Sequence, residues 1–587
     1  MSWVHPGAIL IFGSLLALFM KGRVRQVYLL ILPVAALISL LTLKTGQYGV
    51  FHLLHEEIIF GRVDKLSLVF AYVFTIAAFI GMLYASNVKE VGHHIASYVY
   101  AGSAIGTVFA GDFISLFIFW EAMAFSSVFL ILAGRTEESY GAAYRYILIH
   151  VIGGMLLMGG MKLVFHETGS IEFTQITLGS LGSWMMLIGI LVNAAAWPLN
   201  AWLPDSYPRA SVAGAVFLCA FTTKSAVYAL IRGFSGAEIL VPIGVIMVLY
   251  GIIYAMMEND IRRVMAYSIV SQVGYMVVGV GIGTEMAING VSAQAVAHIL
   301  YKGLLFMATG SVLFMAGTAK MTELGGLYSR MPKTFWLYMV GALSIAALPL
   351  TSGFVAKPVI LGAVSGAGHE TTWVLLTIAS FGTMLYAALK VPYLVFIGET
   401  TNRTYNDTVT DPPSHMTVAM IIAAVLCVLI GIFPGALYNL LPFAMEYHPY
   451  GAEHVVLALE GLAFTAVAFV IARKAIRACP LITIDTDWFY RVLGRAFLWF
   501  ANRVLAVIDD AVSNSYKTIV EAWGFFIARA SLCFDVAIVD GIVNGVAKGV
   551  VGMSTALRTF QTGIVQHYAA GILIGLLVLL NLYFIIS

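Results

Sequence analysis

FISLFIFWEAMAFSSVFLILA, from Phe113 to Ala133, is long and apolar enough to cross a bilayer, yet it carries one charge, Glu121, near its middle. A membrane core about 30 Å thick takes about 20 helical residues. A charge at mid-membrane costs roughly 2.5 kcal/mol on insertion scales, so it normally faces a wet interior and has a task there. The same contradiction returns in VAGAVFLCAFTTKSAVYALI (Val212 to Ile231), which holds Lys224 centrally. Lys302 and Lys357 repeat it further on. A row of buried titratable groups in apolar segments is the pattern expected of a proton or cation carrier.

The rest of the chain has the matching composition. Its 587 residues are 60% hydrophobic and 11% charged, with a mean hydropathy of +0.93. Soluble domains average about 25% charged residues, so this is an all-α integral membrane protein. Windows of about 20 apolar residues predict some fifteen crossings. A net charge of +2 leaves no basic patch for nucleic acid. Ala8 to Met20 follows no basic leader and no A-x-A-like site, and reads as an uncleaved helix. Cys219, Cys427, Cys479 and Cys533 are scattered, with no C-x-x-C for a cluster or zinc. Neither a Walker motif nor a G-x-G-x-x-G turn is present, so ATP and nicotinamide are unsupported. The chain is expected to hold no cofactor and to do no redox chemistry alone. Lys21, Arg23 and Arg25 predict a cytoplasmic loop after the first helix, as do Arg473, Lys474 and Arg477 near the far end.

Two proline-rich stretches interrupt the helical rhythm, Trp197–Asp205 followed by Pro208, and Leu348–Pro358. Proline frees backbone carbonyls that only protein or water can satisfy inside a membrane. Interrupted helices in corresponding halves mark inverted-repeat transporters. Each break has a lysine on it or shortly after it, Lys357 and Lys224. Before each break a helix carries a charge beside an aromatic residue, Trp120-Glu121 and Tyr301-Lys302. The organisation predicted is N-terminal helices over 1–90, one repeat over 91–260, a second over 261–441, a further helix within 442–480, an amphipathic helix over 481–567 and an anchor over 568–587. Polar positions at helical spacing, such as Asn514/Lys517/Glu521 and Asp540/Asn544/Lys548, carry the amphipathic assignment. As one helix it would reach roughly 120 Å, about four bilayer cores, so it must lie along the membrane or bend. Gly541, Gly545, Gly549 and Gly552 are candidate breaks.

Glu121 and Lys224 are the first candidate pair. A carboxylate and an amine in low dielectric each influence whether the other is charged, which couples charge movement to proton transfer. The alternative is a static salt bridge that fixes helix packing. His298 and Lys302, four apart, share one helix face and suit a water-linked relay; the bland reading is a histidine bonded to a carbonyl and a snorkelling lysine. Lys357 sits on the second break, where unwound backbone lowers the cost of its charge. Arg262 and Arg263 do not release protons and can only tune neighbours or form a solvated cluster. Lys390 and His150 each stand alone in apolar segments, where a packing or lining role is expected.

FIFWEAMAFSS around Glu121, WPLNAWLPDSYPRASVAG, TTKSAVYALIR, DIRRVMAYSIVSQVGYM, AHILYKGLLFMATGSVL and PLTSGFVAKPVIL follow one another across roughly residues 90–400. Together they resemble the antiporter-like subunit family of respiratory complex I, Mrp sodium/proton antiporters and membrane-bound hydrogenases. DGIVNGVAKGVV and LRTFQTGIVQHY resemble the end of complex I's distal antiporter-like subunit, where a long lateral helix is anchored by a last helix. The resemblance implies that Glu121 is the glutamate of the fifth helix and Lys224 its lysine partner on the broken seventh. It makes His298 and Lys302 the central relay and Lys357 the basic residue of the broken twelfth helix, all on a hydrated axis fed by half-channels. Two departures stand out: Gln294, where some members have histidine, and Arg262-Arg263, where many have lysine. The expected function is proton translocation within a multi-subunit, redox-driven complex of a prokaryotic cytoplasmic membrane. Iron–sulfur, flavin, nickel or quinone would reside in partner subunits, and residues 481–567 would contact sister membrane subunits. The alternatives are an Mrp-type subunit exchanging Na⁺ for H⁺ without a redox partner, and a structural subunit with an incompetent channel.

Overall fold

The computed structural model describes residues 3–53, 56–398, 404–406, 408–473, 485 and 487–586; Lys474, Arg477 and Cys479 lie outside them. Helix dominates, because backbone N–H and C=O groups in hydrocarbon must be satisfied within their own segment. The chain forms two compact units, Met1–Arg491 and Val492–Ser587. The first opens with α1 (Pro6–Leu15) and α2 (Gly22–Thr42), then an antiparallel hairpin of β1 (Gly46–Leu53) and β2 (Glu56–Val63) that the apolar windows do not announce. It continues with α3 (Lys65–Tyr84), α4 (Val91–Phe109), α5 (Phe113–Leu132), α6 (Glu137–Thr168), α7 (Leu181–Asn193) and α8 (Trp202–Ser206). Then come α9 (Val212–Leu218), α10 (Thr222–Phe234), α11 (Leu240–Met257), α12 (Ile261–Ile282) and α13 (Glu285–Ala316). The unit closes with α14 (Pro332–Ile345), α15 (Ser352–Gly366), α16 (Glu370–Met384, prolonged by π-helical turns), α17 (Ser414–Ile432), α18 (Pro434–Tyr438) and α19 (Ala452–Ala472).

Twelve described helical spans are long and apolar enough to cross a membrane. The roughly fifteen read from hydropathy also include apolar helices that stop short, at Pro6–Phe19, Leu181–Asn193 and Ser352–Gly366. Basic side chains such as Lys21, Arg25, Lys89, Arg135 and Lys333 lie in the loops or the adjoining helix turns at one end of the bundle. Glu56 and Glu57 of the hairpin, Glu167 and Glu370 at helix ends, and Glu238 and Glu446 in loops lie at the other. Small residues bring helices close where packing replaces the hydrophobic effect. A β-carbon on Gly251 of α11 would lie 2.6 Å from Ser271 N of α12, and one on Gly189 of α7 would lie 2.7 Å from Gly153 O of α6.

The proline-rich stretches end their helices in the same way. After α7, Ala195 takes a left-handed φ of 55°, its N–H donates to Val192 O (3.1 Å), and Ala196 N–H donates to Leu191 O (3.0 Å). After α14, Ala347 takes a φ of 60°, its N–H donates to Ser344 O (3.0 Å), and Leu348 N–H donates to Leu343 O (3.0 Å). This paired-bond terminus is usually built on glycine. Alanine holds it twice, each followed closely by Pro-Leu (Pro198-Leu199, Pro349-Leu350).

From Asp487 to Phe560 the backbone stays helical, as α20 (Asp487–Phe500), α21 (Ala506–Phe534) and α22 (Asp540–Phe560) joined by π-helical turns; α23 (Val565–Ile586) follows. Gly541, Gly545, Gly549 and Gly552 do not break it. From Leu505 onward every described side chain is exposed.

Candidate functional site

One membrane span is split into α9 and α10 by Cys219-Ala220-Phe221, which no proline or glycine marks. Lys224, one turn into α10, turns back to that break. Its Nζ donates to Cys219 O at 2.6 Å and to Thr223 Oγ1 at 3.1 Å, and the residue is 0% exposed. The second break repeats the arrangement. Lys357, on α15, donates from Nζ to Ile345 O at 2.8 Å, the last residue of α14, and to Ser380 Oγ at 3.4 Å, with the Tyr275 ring 5.2 Å away. A helix C-terminus leaves carbonyls without partners and carries partial negative charge. Each lysine therefore supplies the donors its broken helix lacks, and each break supplies the dipoles that make a buried ammonium tolerable.

Between the two breaks runs α13. Its Lys302 Nζ donates to Ser268 Oγ of α12 at 2.7 Å, and that hydroxyl meets Tyr386 Oη at 2.6 Å. His298, one turn earlier, is fully buried, and neither ring nitrogen has a partner among the described residues. Its imidazole lies within electrostatic reach of Lys224, Lys302 and Lys357, and Lys302 within reach of both other lysines. The structure thus brings four of the five principal candidates into one electrostatic unit. A charge on any one of them raises the cost of charging its neighbours, which is the condition for passing a proton along the row. Gln294 closes the row on one side without titrating: its Nε2 donates to Gln272 Oε1 (3.2 Å) and Tyr301 Oη (2.9 Å).

Glu121 stands apart from this row. Among the described residues no ion pair joins it to Lys224, and its Oε1 is buried without a partner, packed flush against Gly154 of α6. The expected carboxylate–amine pair is therefore replaced by a gap. A polar aromatic cluster lies between the helices that carry the two residues. His150 Nδ1 donates to Tyr146 O (2.9 Å) and its ring stacks on Tyr146 with centroids 3.9 Å apart; Tyr146 Oη meets Ser127 Oγ at 2.8 Å. Tyr146 and Tyr207 both approach the Thr222 hydroxyl, next in sequence to Thr223, which binds Lys224. His150 Nε2 and both amide atoms of Asn193 and of Asn200 are buried without partners among the described residues. Buried orphan polar atoms of this kind mark places where water is needed.

The remaining candidates sit at the basic end. Arg262 reaches Tyr207 O, Ala210 O and Ser211 O at 3.1–3.4 Å, clamping the turn before α9. Arg263 pairs with Glu258 at 3.3 Å. Lys390 donates to the carbonyls of Met256 and Glu258 at the end of α11. None of the three touches the central row; Arg262 and Arg263 border an open vestibule of about 910 Å³ lined also by Arg209, Asp260, Lys320 and Glu323. Among the described residues no group of three or more His, Cys, Asp or Glu is placed to hold a metal ion. Hydropathy and proline positions missed the break at Cys219–Phe221 and the orphan asparagines. The asparagines had a visible signal, polar amides inside or beside apolar runs.

Residues 110–385 match the family described as NADH:quinone oxidoreductase/Mrp antiporter, TM. A Na⁺/H⁺ antiporter subunit from Alkalihalophilus pseudofirmus is 30% identical over 50% of this chain and 63% of its own length. The NADH-quinone oxidoreductase subunit M of Pseudomonas aeruginosa is 31% identical over 57% of this chain and 70% of its own. The chain spans between 52% and 66% of the length of the first curated relatives it matches. Among solved structures, a chain of the membrane-bound sulfane sulfur reductase, an archaeal respiratory membrane complex, superposes with a TM-score of 0.69 at 21% identity. That match covers 98% of this chain and 99% of the other, and shows a shared fold.

Proposed function

This chain belongs to the NADH:quinone oxidoreductase/Mrp antiporter transmembrane family, and from that premise we propose that it moves protons across a membrane as one subunit of a larger complex. The observation that carries the reading is the row Lys224, His298, Lys302, Lys357: four buried titratable groups linked electrostatically through His298 and Lys302, two of them on broken helices. A static packing role would not call for several basic groups buried within reach of one another, since each is costly to charge away from water. Glu121 would supply the negative charge at the far end of the path, with water and the Tyr146–His150 cluster bridging the gap to Lys224. The concentration of Lys and Arg at one end would place that end in the cytoplasm, in a prokaryotic inner membrane. Redox cofactors, whether iron–sulfur, flavin, nickel or quinone, would belong to partner chains. The uncovered apolar side chains of α20 to α22, among them Trp499, Trp523 and Phe526, support a docking role for 481–567 against sister membrane subunits.

The first experiment is purification of the tagged full chain from native membranes in mild detergent, with the companions identified by mass spectrometry. The particle is then reconstituted and proton movement followed with an internal pH dye. Companions that carry redox centres, with proton movement independent of Na⁺ and lost in Lys224→Ala, are the expected result. Small membrane companions only, with Na⁺-dependent proton movement, would instead establish a secondary Na⁺/H⁺ exchanger. Undiminished proton movement in an assembled Lys224→Ala particle would reduce the chain to a structural subunit.

A further inference from the structure

The row needs a supply of protons from the basic end, and the groups around the large vestibule are poor suppliers. Arg262 and Arg263 do not release protons. Glu138 is paired with Arg209 (3.1 Å), Glu323 with Lys320 (3.1 Å), and Asp260 caps the start of α12. A smaller cavity of about 110 Å³ adjoins it, sharing Ala133, Ser211 and Val212 with its wall. Into this cavity points His93, near the start of α4 and 5% exposed. Its Nε2 meets Ser211 Oγ at 2.9 Å, and its Nδ1 has no partner among the described residues. The groups around it are its neighbour His94, the Glu90–Arg135 ion pair at the mouth (2.7 Å), Tyr84 from α3 and Arg262 from α12 behind Ser211. From α13 and α17 the cavity receives the apolar Phe314 and Met416.

The same face of α4 continues inward. His93, Ser97 and Tyr100 stand at helical spacings of four and three, so they line one stripe, and α4 packs against both α9 and α10. Ser97 Oγ donates to His93 O at 2.8 Å, and Tyr100 Oη meets Thr222 Oγ1 at 2.6 Å while accepting from Thr222 N at 3.0 Å. His93 to Tyr100 is a rise of about 10 Å, and Thr222 adjoins the Thr223 hydroxyl bound to Lys224.

Resting on the proton-pathway reading above, we propose that His93 is the group that loads protons into this chain from the basic face. A hydronium at the Glu90 mouth gives its proton to Nδ1, leaving water and making imidazolium. The imidazolium returns to imidazole as a proton leaves along the Ser97–Tyr100–Thr222 stripe, through water between the hydroxyls, and the neutral amine of Lys224 becomes ammonium. Nothing is oxidised or reduced in the step. An imidazole takes a proton on one ring nitrogen while the other keeps its hydrogen bond, here Nε2 to Ser211, which suits it to load and unload in turn.

The test uses the intact purified complex in proteoliposomes, driven by a K⁺ diffusion potential, with proton uptake read by pH dye across pH 5.5–8.5. His93→Gln, which can still bond Ser211, is expected to assemble and to slow uptake at least tenfold. It should also flatten the dependence of uptake on pH, and added imidazole should restore part of the rate in His93→Ala. Wild-type uptake and pH profile in His93→Gln would overturn the proposal. Should both variants fail to assemble, Asn87→Cys at the exposed lip of the cavity decides the matter. Attaching a charged thiol reagent there must block uptake, relative to the unsubstituted chain treated alike; no block overturns the inlet. Lys224→Ala separates the two levels of inference. If it takes up protons normally, the pathway reading falls; if it is dead while His93→Gln is normal, only the inlet falls.

Discussion

At the scale of single residues, Glu121 depends on a hydrogen atom. Gly154 lies so close to its carboxylate that a β-carbon there would overlap Oε1. Gly154→Ala should therefore push the carboxylate off its position and cut proton movement several-fold, with assembly unchanged by size-exclusion chromatography. Lys302 has a different dependence, since its donor contact is the Ser268–Tyr386 hydroxyl pair. Ser268→Ala removes the acceptor without adding bulk, and a buried polar group left without its partner is destabilised by about 1–3 kcal/mol. The expected outcome is a lowered proton-transfer rate in the dye assay, larger than that of the isosteric Tyr386→Phe. Much of this site was legible from single letters, because a lysine within an apolar run announces itself. What single letters could not convey is the partnership. Lys224 reads as the mate of Glu121, but its contacts are Cys219 O and Thr223, and a backbone carbonyl has no letter.

At the scale of elements, the two proline-rich breaks were visible as interruptions, and their common construction was not. Ala195 and Ala347 occupy left-handed backbone where glycine is the usual choice, a conformation that costs an alanine about 1–2 kcal/mol. Ala347→Gly should raise the thermal stability of the detergent-solubilised protein by up to about 1 kcal/mol, the gain being partly offset by the greater freedom of glycine when unfolded. A fall in the unfolding temperature would show that the alanine methyl makes contacts worth more than its strain. The break at Cys219–Phe221 was implied by the resemblance, which puts Lys224 on a broken helix, but not by the letters themselves, since no proline or glycine stands there. The α11–α12 contact is the opposite case, a straight seam that closes on small residues. Gly251→Leu would drive a side chain into Ser271 N and Tyr267 O, and overpacking of that kind typically costs about 1–3 kcal/mol. Reduced yield of folded protein from the membrane is the expected readout.

At the scale of the whole molecule, the all-α character and the long amphipathic tail could be read from composition and spacing, whereas the hairpin of β1 and β2 could not. Its strands lie between apolar windows, and β2 is pinned by contacts distant in sequence, Ile59 N to Asp112 Oδ2 (2.8 Å) and Gly111 N to Ile59 O (2.9 Å). The tail's glycines looked like breaks because glycine lowers helix propensity by about 1 kcal/mol. Nothing crowds them in the fold, and the helix runs through. Because Met1–Arg491 forms a compact unit by itself, truncation after Arg491 should leave its unfolding midpoint within a few degrees of the full chain. The same truncation should strip away companion membrane subunits during purification. Retention of all companions would assign the docking surface to the first unit.

The lysine at each break has a mechanical corollary. An ammonium and a neutral amine can both donate to a carbonyl, but only the first is drawn to the negative end of a half-helix by charge. When Lys224 or Lys357 gives up its proton, its broken span keeps a hydrogen bond and loses an electrostatic clasp. Occupancy of the pathway is thereby written into the tension of the backbone that surrounds it. Each clasp lies within electrostatic reach of Lys302 on α13, so a charge arriving there is felt at both breaks together.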